Sequence, residues 1–299
     1  MAEINSNRIE SSLDQQRILI TGVSGLIGRI LFNYLTTKYQ VFGLDQHTNI
    51  SPKYQLEYRD PIEAKPILPL PLDKFFQCDI TDRIKLHKII QEQKIEIIIH
   101  LAAIGETDPD IEKISRVNIE GTKNVFEAPG VRRIIYASSV MTVFGYLTRE
   151  PYLSIMNDTF DDTTMLKDLR KLTIADDSPL PDLQTPGNIA YSQSKIIGEQ
   201  MATDIVKNSS KSIICARFGW INVYDQPGIT WARTVWFSHC DVCLFIDKAL
   251  QAPLYISETY FAMSNNHRLW VDLDDAKRDF DFVPQEAAEK LYNKRSIIV

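Results

Sequence analysis

Cysteine is scarce in this 299-residue chain. Four residues form no disulfide framework, which excludes a stapled secreted scaffold and predicts a reducing, intracellular home in the cytoplasm. No apolar run approaches the ~18 residues that a bilayer span requires. The polar stretch at the N-terminus has the pattern of neither a signal peptide nor a basic transit peptide. A basic face is missing too: 33 Lys and Arg stand against 39 Asp and Glu, a net charge of -6, which argues against a nucleic-acid partner. Glycine is the last shortage. Only 12 occur, about 4% against the ~7% of average proteins, yet Gly22, Gly25 and Gly28 crowd together. A chain that spends glycine sparingly and then clusters it needs bare backbone at that point.

What is present reads as strand alternating with helix. Arg17–Ile20, Gln40–Leu44, Phe75–Cys78, Ile95–Ile99, Arg133–Ala137 and Ser212–Arg217 are short apolar strands. Helical patterns cover Leu26–Lys38, Asp82–Gln93, Ile111–Glu127 and Ile189–Lys207. That alternation predicts an α/β fold, a doubly wound parallel sheet of Rossmann type with ligands beyond the carboxyl ends of its strands. The expected domains are a polar tail (1–15), a large α/β domain (16–219) and a small C-terminal lobe (220–299). A strand near 255–263 is a candidate to return to the sheet. Two stretches interrupt the rhythm: the proline-rich insert 46–74 and the polar, acidic insert 146–187. Both exceed ordinary loop length, as active-site covers do.

Gly22-Val23-Ser24-Gly25-Leu26-Ile27-Gly28 directly follows a strand and opens a helix. Gly22 permits the tight turn, Gly25 the close approach of a pyrophosphate and Gly28 the helix–strand contact; Leu26 and Ile27 begin a helix whose free N–H groups face the phosphates. Asp45 ends the next strand, 20 residues after Gly25, where a carboxylate meets the adenosine ribose and repels a 2′-phosphate. The cofactor expected is therefore NAD. Arg29 either offsets that repulsion or is a solvated surface charge. Leu101, Ala102 and Ala103 supply small residues at a strand end over which a cofactor can pass, whereas His100 reads as a satisfied core histidine. Thr81 or Asp82 reads as a helix N-cap.

Tyr191-Ser192-Gln193-Ser194-Lys195 places a phenol and an ammonium on one helix face. Tyrosine with its ordinary pKa of ~10 is a poor base at neutral pH, and a neighbouring cation stabilises the phenolate. The spacing recurs in Tyr34-Leu35-Thr36-Thr37-Lys38. That copy ends the first helix, far from the strands' carboxyl edge, and is read as core and surface.

The order of glycine-rich turn, ribose acid, strand-end serines and Tyr-x-x-x-Lys resembles the extended short-chain dehydrogenase/reductases, the NAD-dependent epimerase/dehydratase group, over roughly Arg17 to Glu289. Supporting segments are Asp79-Ile80-Thr81-Asp82, His100-Leu101-Ala102-Ala103, Asn118-Ile119-Glu120-Gly121-Thr122, and Arg217 followed by Asn222-Val223-Tyr224. The resemblance implies Tyr191 as the base, Lys195 on the nicotinamide ribose and a strand-end serine polarising the substrate oxygen. It also implies Asp79 and Ile80 at the adenine, Asn118 at the cofactor, and a homodimer paired through the helices 111–127 and 189–207. In many epimerases the hydroxyl lies three residues before the Val of Val-Tyr-Gly. Here Val143-Phe144-Gly145 gives that place to Val140, whereas the uronate dehydrogenase pattern, anchored on Thr142, assigns Ser139, with Ser138 as the fallback.

Within the group the chain looks most like uronate and related sugar dehydrogenases, through Val235-Trp236-Phe237-Ser238-His239-Cys240-Asp241, Gln251-Ala252-Pro253 and Ala262-Met263-Ser264-Asn265-Asn266 leading to Trp270. It departs from them in the pocket. Val140 and Met141 replace an Asn-His pair, Trp220 and Gly105 replace serines, and Trp231 holds the place of the carboxylate-binding arginine, with Arg233 two residues on. Such changes cost a polyhydroxy acid its hydrogen-bonding partners. The expected enzyme is thus an NAD-dependent oxidoreductase acting on a hydroxyl or keto group of a sugar-like or less polar small molecule. A sugar or nucleotide-sugar epimerase is the alternative, and a dinucleotide-sensing protein the non-enzymatic one. Cys240-Asp241-Val242-Cys243 beside His239 has no second pair at metal spacing, so no metal is expected. Trp236 reads as core.

Overall fold

The computed structural model describes residues 16–48, 70, 72–157, 159, 169–179, 185–228 and 231–290. The tail 1–15, most of the insert 46–74, and Asp158, Asp161, Asp162 and Asp182 of the acidic insert lie outside them.

Seven strands form one parallel sheet: β1 (Arg17–Thr21), β2 (Gln40–Asp45), β3 (Phe75–Gln77), β4 (Ile97–His100), β5 (Arg133–Ser139), β6 (Ser212–Phe218) and β7 (Thr259–Ala262). Their order is β3-β2-β1-β4-β5-β6-β7, and every neighbouring pair is parallel. This is the Rossmann-type doubly wound sheet read from the alternation. The order reverses between β1 and β4, which opens the crevice at the carboxyl edge where ligands bind in such sheets.

The helices are α1 (Leu26–Leu35), α2 (Arg83–Glu92), α3 (Ile111–Ser115, continuing through Arg116–Gly121 and Thr122–Phe126), α4 (Tyr152–Met156), α5 (Pro186–Lys207), α6 (Trp231–Thr234), α7 (His239–Gln251) and α8 (Asp274–Phe280). Strand residues alternate between two cores, as the two-residue period requires. Leu19, Ile98, Ile134, Tyr136 and Cys215 face α2, α3 and α5. Ile18, Ile20, Ile97, Ile99, Ile135 and Ala137 face α1 and α7. The second of these layers is drawn from either side of residue 219, the first only from before it. Arg133, buried at the start of β5, donates to the Ala249, Leu250, Ala252 and Pro253 carbonyls and so satisfies the open end of α7. Among the described residues no helix is long and apolar enough to cross a membrane.

Between Ser115 and Thr122 the helix α3 widens to π-type turns, an irregularity found mainly where function demands it. Asn118 sits in this stretch. The stretch after β5, Val140–Thr148, winds as a 3₁₀ helix capped by the Ser139 hydroxyl, which accepts from the Met141 N–H at 3.2 Å. Both irregular segments border the crevice at the β4 and β5 ends.

Candidate active site

The glycines of the first turn divide into two kinds. Gly22 has φ +76°, and a Cβ on it would lie 2.6 Å from the Ala102 nitrogen; a Cβ on Gly28 would lie 2.5 Å from the Gly22 oxygen. Both are demanded by the protein's own packing. A Cβ on Gly25 would meet nothing closer than 3.4 Å, so the fold itself does not require glycine there. Gly25 is the N-cap of α1, no side chain caps that helix, and its first turn holds no acidic residue. Leu26 and Ile27 are half-exposed. A bare, uncapped helix N-terminus with bare backbone in front of it suits a pyrophosphate, and this cradle fits NAD.

Asp45 is buried beside this turn, accepting from the Ser24 N–H and the His47 N–H at 3.0 Å each. Burial raises its pKa, against the pull of those hydrogen bonds, which hold the carboxylate beside the turn at the end of β2. Arg29 is not a solvated charge. It is 5% exposed and its Nε donates to the Ser24 carbonyl at 3.3 Å, folding back over the turn. Asp82, rather than Thr81, caps α2 by accepting from the Lys85 N–H. The Asp79 carboxylate turns inward onto Thr81, accepting from its N–H and hydroxyl at 2.9 Å each. Ile80 is buried against Gly121, where a Cβ would lie 2.5 Å from the isoleucine Cδ1.

At the end of β4, His100 bridges the hydroxyls of Thr21 (2.7 Å) and Thr122 (3.0 Å). Burial, aided by the Lys195 charge, lowers its pKa to about 3, so it is a neutral core histidine. Leu101, Ala102, Ala103 and Gly105 are half-buried along the following segment. Asn118 clamps that segment. Its Oδ1 accepts from the Ile104 N–H at 2.7 Å, and its Nδ2 donates to the Ile104 carbonyl and the Ser194 hydroxyl at 3.0 and 3.1 Å. These bonds make the side chain a positioning element between β4, α3 and α5.

The register of α5 against the end of β5 brings Tyr191 next to Ser139. Burial raises the Tyr191 pKa, and the nearby Glu106 carboxylate adds to the rise while Ser139 opposes it. Lys195, one turn further along α5, is 3% exposed. Its Nζ donates to the Ala137 carbonyl at 2.7 Å and lies 5.4 Å from the centre of the Tyr191 ring. Burial lowers its pKa to about 7, with Glu199 alone pulling the other way. Ser138 points to the opposite sheet face from Ser139 and is committed elsewhere: its hydroxyl donates to Glu199 at 2.6 Å. Arg217 holds the same carboxylate with two bonds, at 2.9 and 2.8 Å, and donates to Ser178 at 3.1 Å. Glu199 and Glu106 were not singled out in the sequence. The signal for Glu199 was available: an acid one helical turn past Lys195 on a face that must be buried.

The expected substrate wall is mixed. Val140 is 3% exposed and belongs to the core, so its replacement of a polar residue is a packing change. Met141 is half-buried next to Ser139. Trp231 packs edge-on against Phe144 at 5.5 Å, and Phe144 in turn against Trp270. Trp220 is tied by its backbone to Val235 and Phe237, with Gly228 beneath its ring, where a Cβ would lie 2.5 Å from Cζ3. Arg233 is half-buried on α6. Trp236 is core, 1% exposed. Cys240 is exposed and Cys243 half-buried on α7. Among the described residues no three His, Cys, Asp or Glu side chains gather as a metal site needs.

Residues 18–293 match the family model described as NAD dependent epimerase/dehydratase family. The chain is similar to a uronate dehydrogenase of Pseudomonas syringae pv. tomato, 24% identical over 276 residues, which span 91% of this chain and 83% of that protein. It is similar also to a UDP-glucose 4-epimerase of Neisseria meningitidis, 30% identical over 211 residues, spanning 68% of this chain and 52% of that one. Among solved structures, a mutant uronate dehydrogenase from Agrobacterium tumefaciens in complex with NAD superposes with a TM-score of 0.67 at 23% identity, covering 95% of this chain and 90% of that one. With a family match that runs from β1 past α8, a glycine cradle that fits the cofactor and a tyrosine–lysine pair at the carboxyl edge, this chain belongs to the NAD-dependent epimerase/dehydratase family of extended short-chain dehydrogenase/reductases.

Proposed function

We propose that this protein is a cytoplasmic NAD-dependent dehydrogenase of a sugar-like hydroxyl group. The observation that carries the reading is the buried Lys195 on α5, its Nζ fixed on the Ala137 carbonyl at 2.7 Å and 5.4 Å from the centre of the Tyr191 ring, at the end of the strand that carries Ser139. Ser139 holds the substrate oxygen, and Tyr191 takes the hydroxyl proton. Burial keeps the phenol protonated in the protein alone; lowering its pKa by roughly 3 units requires about 4 kcal/mol of favourable charge. The Lys195 ammonium contributes to this and holds the nicotinamide ribose. NAD, when bound, supplies the hydride acceptor and a positively charged ring. Gly22, Gly25, Leu26, Ile27 and Gly28 hold its pyrophosphate, Asp45 the adenosine ribose, Asp79 and Ile80 the adenine edge, and Leu101, Ala102, Ala103 and the Asn118-clamped loop the strip between. Gly105, Met141, Trp220, Trp231 and Arg233 border the substrate, with Val140 packed behind them.

A panel of aldoses and other alcohols, assayed for NADH absorbance, tests the reading. Steady NADH formation supports it. Tightly retained NAD with no net NADH favours the epimerase alternative, which the Neisseria relative supports. Replacing Asp45 by Ala should narrow the preference for NAD over NADP by roughly tenfold, about 1.4 kcal/mol, because the repulsion of a 2′-phosphate is lost; an unmoved ratio of kcat/KM values removes Asp45 from the ribose. A homodimer is the proposed assembly. The groove along α3 lined by Ile111, Ser115 and Ile119, with Glu112, Arg116 and Glu120, supplies apolar surface and both charge signs for a second copy. A monomer in sedimentation at micromolar concentration overturns it.

A further inference from the structure

The Lys195 ammonium is taken out of water with few polar groups to replace it. An ammonium offers three donors; among the described residues Nζ spends one, on the Ala137 carbonyl at 2.7 Å. Its other close neighbours are two aromatic rings that it overlies, Tyr136 with its centre at 5.0 Å and Tyr191 at 5.4 Å. Tyr191 must ionise to act, so Tyr136 is the ring that stays neutral throughout. Tyr136 sits in the middle of β5, in register with His100 on β4 and Cys215 on β6, and is 1% exposed. His100 stacks on it at 5.6 Å between ring centres and 27° between planes, and Phe126 meets it edge-on at 5.3 Å and 88°. Over this fixed ring α5 carries Gly198, where a Cβ would lie 2.4 Å from the Tyr136 hydroxyl. Glycine lets the helix settle onto the ring, and Lys195, three residues earlier on the same helix face, is thereby laid across it.

We propose that Tyr136 is a positioning residue whose ring seats the Lys195 ammonium by a cation–π contact and keeps it charged beside Tyr191. The negative face of an aromatic ring returns part of the stabilisation that water gave, and most where both partners are desolvated. The other groups around the ammonium leave a share to the ring. His100 is neutral, its pKa lowered to about 3, and burial holds the Cys215 thiol and both phenols protonated. Glu106 bears on the Tyr191 phenol. Glu199, one turn further along α5, favours the charged lysine, but its carboxylate is already paired with Arg217 through two hydrogen bonds. The consequence for turnover rests on the dehydrogenase reading; the consequence for the charge of Lys195 does not.

Fluorination withdraws electron density from a ring face with little change of size, so it weakens a cation–π contact stepwise and leaves a merely steric role in place. Tyr136→Phe, which keeps the ring, is the reference, and phenylalanines carrying one, three and five fluorines at position 136 complete the series. In the full-length protein with ¹³C at the lysine Cε, the Lys195 resonance is the one missing from Lys195→Met, and its NMR titration requires no turnover. The Lys195 midpoint should fall with each step of fluorination, by about one unit over the series. With NAD and an aldose of the panel that yields NADH, kcat at pH ~7 should fall in step, by roughly tenfold. The same series at Phe126, which packs on Tyr136, should move neither. A midpoint that ignores fluorination at position 136, or that shifts equally for the two positions, overturns the inference. So does a kcat that falls while the midpoint stands still. If no alcohol yields NADH, the dehydrogenase reading falls, and the titration still decides Tyr136.

Discussion

Two tyrosine–lysine pairs of identical spacing occur in this chain, and only one of them stands at the chemistry. Lys38 makes the bond one would look for: its Nζ donates to the Tyr34 hydroxyl at 2.9 Å, with Asp247 on its other side at 3.0 Å. Lys195 instead donates to a backbone carbonyl and lies against the rings of Tyr136 and Tyr191. Yet the Lys38 side chain is 41% exposed, where water screens the charge, whereas Lys195 is 3% exposed. The pKa values move apart accordingly. Partial burial pulls Lys38 down, but Tyr34 and Asp247 outweigh it and the net shift is upward; burial takes Lys195 down to about 7. A direct hydrogen bond in water is a weak sign of reactivity. Burial at the carboxyl edge, next to Ser139 and the glycine cradle, is the stronger one.

The largest expected contrast comes from removing each phenol oxygen. Tyr191→Phe should lower kcat by roughly 10²–10⁴, the usual worth of a general base, with NADH affinity by fluorescence largely intact. Tyr34→Phe should leave kcat where it is. Retention of more than about a tenth of the wild-type kcat in the Tyr191 variant would end its assignment as the base.

Stability against pH separates the two lysines by sign. The folded Lys195 titrates near 7 and the unfolded one near 10.5. Between those values the unfolded chain binds a proton that the native state does not, so the stability contributed by this group rises with pH across the window and its penalty is complete below it. Lys195→Met should therefore stabilise the cofactor-free protein at pH ~7, on the order of 2 kcal/mol, and the gain should shrink as pH approaches ~10. Urea unfolding at the two pH values reads the difference. A gain that stays constant with pH would show that Lys195 is not desolvated. The same substitution should weaken NAD and reduce turnover, which distinguishes it from the stabilisation of an inert core.

Much of this contrast was legible in the sequence. The alternation of strands and helices gave the sheet because parallel strands buried on both faces must be nearly all apolar, as Ile97, Ile98 and Ile99 are. The position of each Tyr-x-x-x-Lys relative to the strand ends separates the two copies in the sequence itself. His100 and Trp236, read as core residues, are 1% exposed. Side-chain direction was not legible. The two-residue period sends Ser138 and Ser139 to opposite faces, but which of them lies on the Tyr191 side and which meets Glu199 is not read from it until the register of α5 on β5 is known. Of the two readings open for Arg29, burial over the Ser24 carbonyl removes the solvated one, and a helix position alone does not show this. The spacing of Glu199 from Lys195 was legible, but its partners Ser138 and Arg217 were not, because they come from two other strands.

The smallest effect expected belongs to the exposed pair. Lys38→Met removes the hydrogen bond to Tyr34 and the ion pair with Asp247. Exposed ion pairs contribute about 0.2–1 kcal/mol, much of it screened by salt, so the loss in urea unfolding should fall in that range at low salt and shrink in ~1 M sodium chloride. The folded Lys38 is raised above its unfolded value of 10.5. Its contribution is thus complete below that pH and fades as pH rises through the folded pKa, opposite in direction to Lys195. Asp247→Asn should reproduce most of the loss, and combining the two substitutions should cost little more than either alone, as expected for partners in one interaction. Turnover should be unchanged in all three. A fall in kcat from Lys38→Met would mean that the α1–α7 contact made by Lys38 and Asp247 transmits to the crevice, and that the exposed pair is more than a surface bond.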